Sequence, residues 1–421
     1  MDMQKNDPPV VLMAATMWWP LSAKLAIALK QSGCVVSAIC PAGHPLRCVE
    51  GIHTLYSYRR IGSLKSLERA IREAAPAIIV PCDDGVVWQL HDLHRLRPDL
   101  RPLIQHSLGS AQMYPVVHSR AALLATAAEL GVRIPRTATI ASEQDLASWC
   151  ARSSLPVVLK LDGTWGGEGV QIAPSKEHAA KSYRRMARPT SLATCWKRFL
   201  INRDPLALWA WRAQQRATLT AQEFIAGRPA NTMFFAWRGE VLAIVAVEVL
   251  CAQGATGAAT IVRLIDNEEI LHAATSLAKH LELSGFHGLD FILEQATGAA
   301  YLLEMNPRCT QLGHLALPGK GSLARAMYAQ LSGDRDAPIE LPIDRDQVAF
   351  FPQALVWNSK SSYLRTSYHD VPWEELALVH ELLRVSWPSR RILARIYDSL
   401  RKPRQVETVE FAPSILEHNE S

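Results

Sequence analysis

Short apolar runs alternate with stretches of helical spacing over the first 115 or so residues. Val10–Ala15, Cys34–Cys40 and Ala77–Val80 are apolar almost throughout, the pattern of strands buried on both faces. Leu21–Gln31, Ser63–Ala74 and Gly85–Leu96 place apolar residues three and four apart and predict helices. Gly33 and Pro41 punctuate the second strand. Strand and helix in alternation predict a doubly wound, parallel α/β unit. Ligands of such sheets gather at the carboxyl ends of the strands. Those ends read PAGHP and PCDDG, so Asp83 and Asp84 are either substrate contacts or caps of the helix after them. The first strand runs into AATMWWP rather than a GxGxxG turn, which excludes a dinucleotide fingerprint.

The texture changes at Ser119. Ser119–Leu130 is an alanine-rich helix stopped by Gly131 and Pro135. Leu155–Leu161 reads as a strand carrying Lys160, Asp162–Gly169 as a glycine-rich tip, and Val170–Ala173 as the returning strand. Gly163, Gly166, Gly167 and Gly169 leave bare backbone N–H groups, which suit phosphate, and Lys160 adds a fixed charge beside them. The motif is not a P-loop, because GxxxxGK[ST] is missing, and a glycine turn alone also fits tight-turn geometry. Thr220–Gly227 reads as an edge strand whose Glu223 and Ile225 could meet an adenine ring. Val241–Leu250 and Ala259–Leu264 read as further strands, and Glu268–Glu282 as a helix.

The stretch FHGLDFILEQATGAAYLLEMNPR, Phe286–Arg308, carries most of the chemistry. Two apolar strands flank a short link containing Thr297-Gly298, which predicts a hairpin. A hairpin centred on Thr297 sets Asp290 opposite Glu304 and Ile292 opposite Leu302. Facing carboxylates repel, so a cation is needed between them. Asp290, Glu304 and the Asn306 amide make a hard oxygen set that suits magnesium rather than zinc, and Arg308 follows for an anion. The competing reading is two solvated acids at strand ends. Phosphate cradle and magnesium pair together point to nucleotide chemistry.

Composition narrows the class. With 421 residues, two or three domains are expected, and 48% hydrophobic against 20% charged residues is globular. A net charge of +5 does not by itself call for nucleic acid. Eight cysteines without CxxC pairs suit a reduced, cytoplasmic protein. The polar start MDMQKNDPP shows no signal peptide, and Val241–Leu250 is too short to span a bilayer.

Taken in order, a helix opening with Arg120 and closing GVRIP, then PVVLK and the glycine loop, QEFIAG, GLDFIL and YLLEMNPR resemble the ATP-grasp superfamily of the carboxylate–amine ligase type. The resemblance covers about Ser119–Gly333, and the preceding α/β region resembles the unit that usually precedes such a module. It implies an N-terminal α/β domain over residues 1–115, an ATP-grasp domain over 116–335, and a C-terminal extension over 336–421. It implies ATP and Mg2+ as cofactors, with Mn2+ as a substitute. Arg120 and Lys160 would hold phosphates, and Gly166, Gly167 and Gly169 would form the lid. Glu223 and Ile225 would meet adenine. Asp290, Glu304 and Asn306 would bind metal, and Arg308 would stabilise an acyl phosphate. The reaction implied joins a small carboxylic acid to an amine and releases ADP and phosphate, without nucleic acid or membrane and with room for an oligomer. A bicarbonate-using carboxylase and a nucleotide-binding module without turnover are the alternatives. The chain departs from the pattern in having Arg120 for lysine, Trp165 and Glu168 in the lid, and no acid after the hinge glycine, where Asn231 is the nearest ribose candidate.

Four features lie outside those motifs. Glu248, in an apolar strand, is a substrate contact, a proton acceptor or an outward-facing residue; His287 and His314 read as surface or structural. Residues 175–216 hold ten Lys or Arg against Glu177 and Asp204, an excess of eight that exceeds the whole chain's +5. They read as amphipathic helices with solvated basic faces, as a surface that steers anions, or as an interfacial helix. The part containing Trp357, Trp373 and Trp387 reads as a small appendage on the core, with a poorly ordered tail after Pro403.

Overall fold

The computed structural model describes residues 7–162, 169–188, 192, 195, 218–254, 256–317, 321–334, 345–384, 390 and 409–411. The lid residues Gly163, Trp165, Gly166, Gly167 and Glu168, most of the basic insertion, Trp387 and the tail after Pro403 apart from 409–411 lie outside the described residues; within that tail Val409–Glu410 forms a strand, contrary to the expectation of a poorly ordered end.

The N-terminal sheet is parallel, in the order β3-β2-β1-β4, from strands β1 (Val10–Ala14), β2 (Val35–Cys40), β3 (Leu55–Ser57) and β4 (Ile78–Pro81). The unbroken apolar run of β1 has its physical reason here. Val11 and Met13 enter one core, while Leu12 and Ala14 enter another on the opposite face. The second face is covered by helices α2 (Ser63–Ala74), α3 (Asp84–Leu96) and α4 (Arg101–Leu108) through Leu67, Ile71, Val87, Leu90 and Ile104. Helix α1 (Ser22–Gln31) covers the first face.

Two antiparallel sheets follow. The smaller, β5-β8-β6-β7, is built from β5 (Thr137–Thr139), β6 (Val157–Leu161), β7 (Val170–Ala173) and β8 (Leu219–Glu223). Its core contains Leu146, Trp149, Val157, Leu159 and Ala221. The strand expected at the edge is internal: β8 hydrogen-bonds to β5 on one side and β6 on the other. It ends at Glu223, so Ile225 lies in the connection between sheets.

The large sheet runs β13-β12-β9-β10-β11-β16-β17, with β18 beside β10. Its strands are β9 (Gly227–Trp237), β10 (Glu240–Ala252), β11 (Ala259–Leu264), β12 (Gly285–Glu294), β13 (Ala300–Asn306), β16 (Gln347–Ala349), β17 (Tyr368–His369) and β18 (Val409–Glu410). A two-residue pair, β14 (Ala316–Leu317) and β15 (Gly321–Ser322), stands apart. The C-terminal part thus extends the sheet edge-on rather than only resting on it. Met233 and Phe235 of β9 and Val245 and Val247 of β10 share one core with Val11, Met13 and Leu25 of the N-terminal unit.

Close backbone approach sets the joint between the N-terminal unit and the large sheet. Gly109 (φ +101) would place a Cβ 2.4 Å from the Glu282 carbonyl oxygen, and Gly285 (φ +84) would place one 2.2 Å from that of Ser107. Only glycine fits either position.

Candidate active site

The hairpin β12–β13 sets Asp290 directly opposite Glu304, as the spacing predicts. The register then slips: Phe291 faces Leu302 and Ile292 faces Tyr301, not Leu302. One extra residue on β13 forms a bulge, and such bulges re-aim side chains. The missed element is β9, which reads weakly as GRPANTMFFAW because Gly, Pro and Asn open it. It brings Asn231 into register with Asp290. Asn231 is therefore not placed as a free ribose contact: its Nδ2 donates to Asp290 Oδ1 at 2.5 Å. Asn306 Nδ2 donates to Asp290 Oδ2 at 3.0 Å. Two amide donors stand where a cation would meet this carboxylate.

Across the cleft lies β6. Val157 and Leu159 face the small core, so alternation turns Lys160 the other way, where it is 5% exposed. Burial lowers its pKa to about 8, opposed by the nearby Glu304. Burial raises Asp290 to about 6, helped by its repulsion with Glu304 and resisted by the amide bonds of Asn231 and Asn306. Burial opposes the charge of Glu304 too, but Arg120 and Lys160 hold its carboxyl below the ordinary value. The two acids thus separate, with one ionised and the other titrating near neutrality.

Arg120 closes the cleft. It is the first residue of α6 (Arg120–Glu129), whose N-cap Ser119 accepts from Ala122 N at 3.2 Å. Its Nη1 meets Asp162 Oδ1 at 2.6 Å and its Nη2 meets Glu304 Oε2 at 2.7 Å. One guanidinium joins the end of β6 to the acid hairpin. Gly169 closes the tip of the β6–β7 hairpin through its carbonyl, which accepts from Leu161 N at 2.9 Å.

Arg308 leaves β13 toward the N-terminal unit. Its Nη2 donates to Asn306 Oδ1 at 3.2 Å and its Nε to Asp84 Oδ1 at 3.2 Å. The two aspartates at the end of β4 divide their work. Asp83 caps α3 through Val86 N and also accepts from Thr16 N, Thr16 Oγ1 and Met17 N. Asp84 reaches the site. Adjacent to it, the Cys309 N–H donates to the Pro81 carbonyl at 3.0 Å.

The remaining candidates fall elsewhere. Glu223 begins the connection between the small and large sheets and forms no part of the acid cluster; Ile225 follows it. Glu248 is 3% exposed, not outward-facing, and pairs with Arg228 at 2.8 Å and Arg263 at 3.3 Å on the sheet face opposite Asp290. His287 is buried against Phe234, and His314 pairs with Asp370 at 2.9 Å. Arg184, in the described start of the basic insertion, pairs with Glu143 at 2.5 Å.

Among the described residues no three His, Cys, Asp or Glu side chains form a metal cluster. Two carboxylates and an amide oxygen, with phosphate oxygens to complete the shell, are the donor set that magnesium takes. The residues present fit that ion.

Residues 128–311 match the family model of the ATP-grasp domain. ATP and Mg2+ are the customary cofactors of that family. Solved structures share the architecture over about four-fifths of the chain. An N5-carboxyaminoimidazole ribonucleotide synthetase in its ADP complex superposes with a TM-score of 0.55 at 14% identity, covering 79% of this chain and 78% of that one. The biotin carboxylase domain of the Hydrogenobacter thermophilus 2-oxoglutarate carboxylase, with MgADP and bicarbonate, gives 0.56 at 14%, over 78% and 71%. The N5-carboxyaminoimidazole synthetase of Staphylococcus aureus, with ADP, gives 0.54 at 12%, over 81% of each. No curated protein matches the sequence. No helix among the described residues is long and apolar enough to cross a membrane.

Proposed function

We propose that the chain is an ATP- and Mg2+-dependent ligase that joins a small carboxylic acid to an amine and releases ADP and phosphate. The observation that carries this reading is the Asp290–Glu304 pair facing Lys160 and Arg120, with Arg308 at its edge. Asp290, Glu304 and Asn306 would hold the metal, which supplies charge neutralisation to the triphosphate. Lys160 and Arg120 would orient the phosphates, and Gly166, Gly167 and Gly169 would cover them. Glu223 and Ile225, in the connection between sheets, would offer backbone and side chain to the adenine. The unit we take to carry the chemistry runs from 116 to 335, with 1–115 before it and 336–421 extending the sheet.

A substrate carboxylate oxygen attacks the γ-phosphorus and the bond to the ADP oxygen breaks. Charge gathers on the transferring phosphoryl group, where fixed cations act most strongly. Arg308 would hold the acyl phosphate while an amine attacks its carbonyl carbon. Phosphate leaves and the amine gives up a proton. Bicarbonate as the acid is the second reading, supported by the bicarbonate bound in the Hydrogenobacter structure.

ADP release measured with Mg2+, amines, and either pooled carboxylic acids or bicarbonate alone separates the two. Glu304→Gln removes one negative metal ligand and is expected to lower turnover at least a hundredfold with the fold intact. Turnover near wild type at saturating Mg2+ would refute the site, and AMP with pyrophosphate would make the enzyme an adenylating one.

A further inference from the structure

Three tryptophans stand beyond the carboxyl ends of the N-terminal parallel strands. Trp18 and Trp19 follow β1, and Trp88 lies one turn into α3. All three are half-buried, and none joins an apolar core of the described residues, unlike Trp149 and Trp237. A half-buried indole keeps one face free for a flat apolar group.

Their placement relative to Arg308 is set by short links. Asp84 and Trp88 are four residues apart and share a face of α3. Asp84 holds Arg308 at 3.2 Å and lies within electrostatic reach of His118, whose ring meets Trp88 edge-on at 6.5 Å. Asp83, its neighbour, pins the loop that carries Trp18 and Trp19 through Thr16 and Met17. That loop lies at the carboxyl edge of the parallel sheet, where ligands gather.

Arg308 therefore has two unlike sides. Toward Asn306, Asp290 and Glu304 everything is polar and suits phosphate and metal. Toward Asp84 lies the face of α3 that also carries Trp88. A carboxylate held by Arg308 with one oxygen turned to the phosphate must send the rest of its molecule the other way. We propose that the acid this enzyme activates carries an aromatic ring, seated against Trp88 with Trp18 and Trp19 at its flank. The inference rests on the ligase reading above and adds the substrate class to it.

The test uses the full chain with Mg2+ and a non-hydrolysable ATP analogue. Binding of 3-phenylpropionate, indole-3-acetate, phenylalanine and tryptophan is measured by calorimetry against hexanoate, leucine and acetate. At least one aromatic acid is expected to bind tenfold or more tightly than any aliphatic one. Trp88→Ala should remove that preference, while Trp88→Phe keeps it within threefold and both variants bind the ATP analogue as wild type does. An aliphatic acid that binds as well as every aromatic one overturns the inference, as does an unchanged preference in Trp88→Ala. ADP release with the same acids and pooled amines is read separately. Aromatic binding without ADP release would sink the ligase reading and leave the aromatic subsite standing. ADP release only with aliphatic acids or bicarbonate would do the reverse.

Discussion

Asp290 and Lys160 have opposed pKa shifts across one cleft, and in the proposed site they would together bound the pH range in which Mg·ATP binds. Asp290 would have to be ionised to accept the metal, and it titrates at about 6. At pH 5 roughly nine-tenths of it is protonated, so metal-dependent affinity falls about tenfold from its value at pH 7. Lys160, in its proposed role, would have to be charged to hold phosphate, and it titrates at about 8. By pH 9 roughly nine-tenths is neutral, and the loss of a charge-assisted bond weakens binding by about tenfold again. Affinity for Mg·ATP is thus expected to be bell-shaped, highest near pH 7. The terminal phosphate of the nucleotide also titrates at about 6, so the decisive comparison is between variants that share the ligand. Asn231→Ala deletes a hydrogen bond that favours ionised Asp290 and should move the acid limb to higher pH. Lys160→Arg keeps its charge and should abolish the alkaline limb. Calorimetric titrations from pH 5 to 9 provide the readout. An acid limb identical in wild type and Asn231→Ala, or an alkaline limb that survives Lys160→Arg, refutes the reasoning. Stability without metal moves with the same groups. Asp290, raised in the folded state, makes the protein less stable as pH climbs from about 4 to about 6, while lowered Lys160 makes it more stable above about 8.

Two further expectations concern the scaffold. Glu248→Ala leaves Arg228 and Arg263 without their shared buried carboxylate and should lower unfolding free energy by about 3–5 kcal/mol, read from urea melts. An unchanged midpoint would show that the pair contributes nothing. Gly285→Ala combines φ +84 with a Cβ 2.2 Å from the Ser107 carbonyl oxygen, so Tm should fall by several degrees; a melting curve superimposable on wild type would show that the joint yields.

The acid hairpin was legible because its chemistry is local. Asp290 and Glu304 lie on strands joined by a short turn, and period-two alternation decides which residues face each other. The bulge that turns Ile292 to Tyr301 was not legible, since one looped-out residue leaves no mark on composition. Asn231 was hidden for a different reason. It comes from a strand that opens with Gly, Arg and Pro and reaches Asp290 only through long-range pairing. Glu248 reads alike as an exposed or a buried acid until Arg228 and Arg263 are seen beside it. The internal position of β8 likewise depends on β5, a three-residue strand too short to announce itself.

The apolar core that Met233 and Phe235 share with Val11 and Met13 has a mechanical consequence. With Gly109 and Gly285 holding backbone against backbone at the same joint, the parallel sheet and the large sheet form a fixed anvil. Arg308, Asp84, Asp290 and Glu304 are all mounted on it, so their spacing is set by the scaffold itself. The small sheet keeps a core to itself; the chain enters it after α6 and leaves it after Glu223, and Arg120 clasps its Asp162 to Glu304. A jaw with its own core can turn as one body, and Lys160, which rides on it, would be the charge that travels.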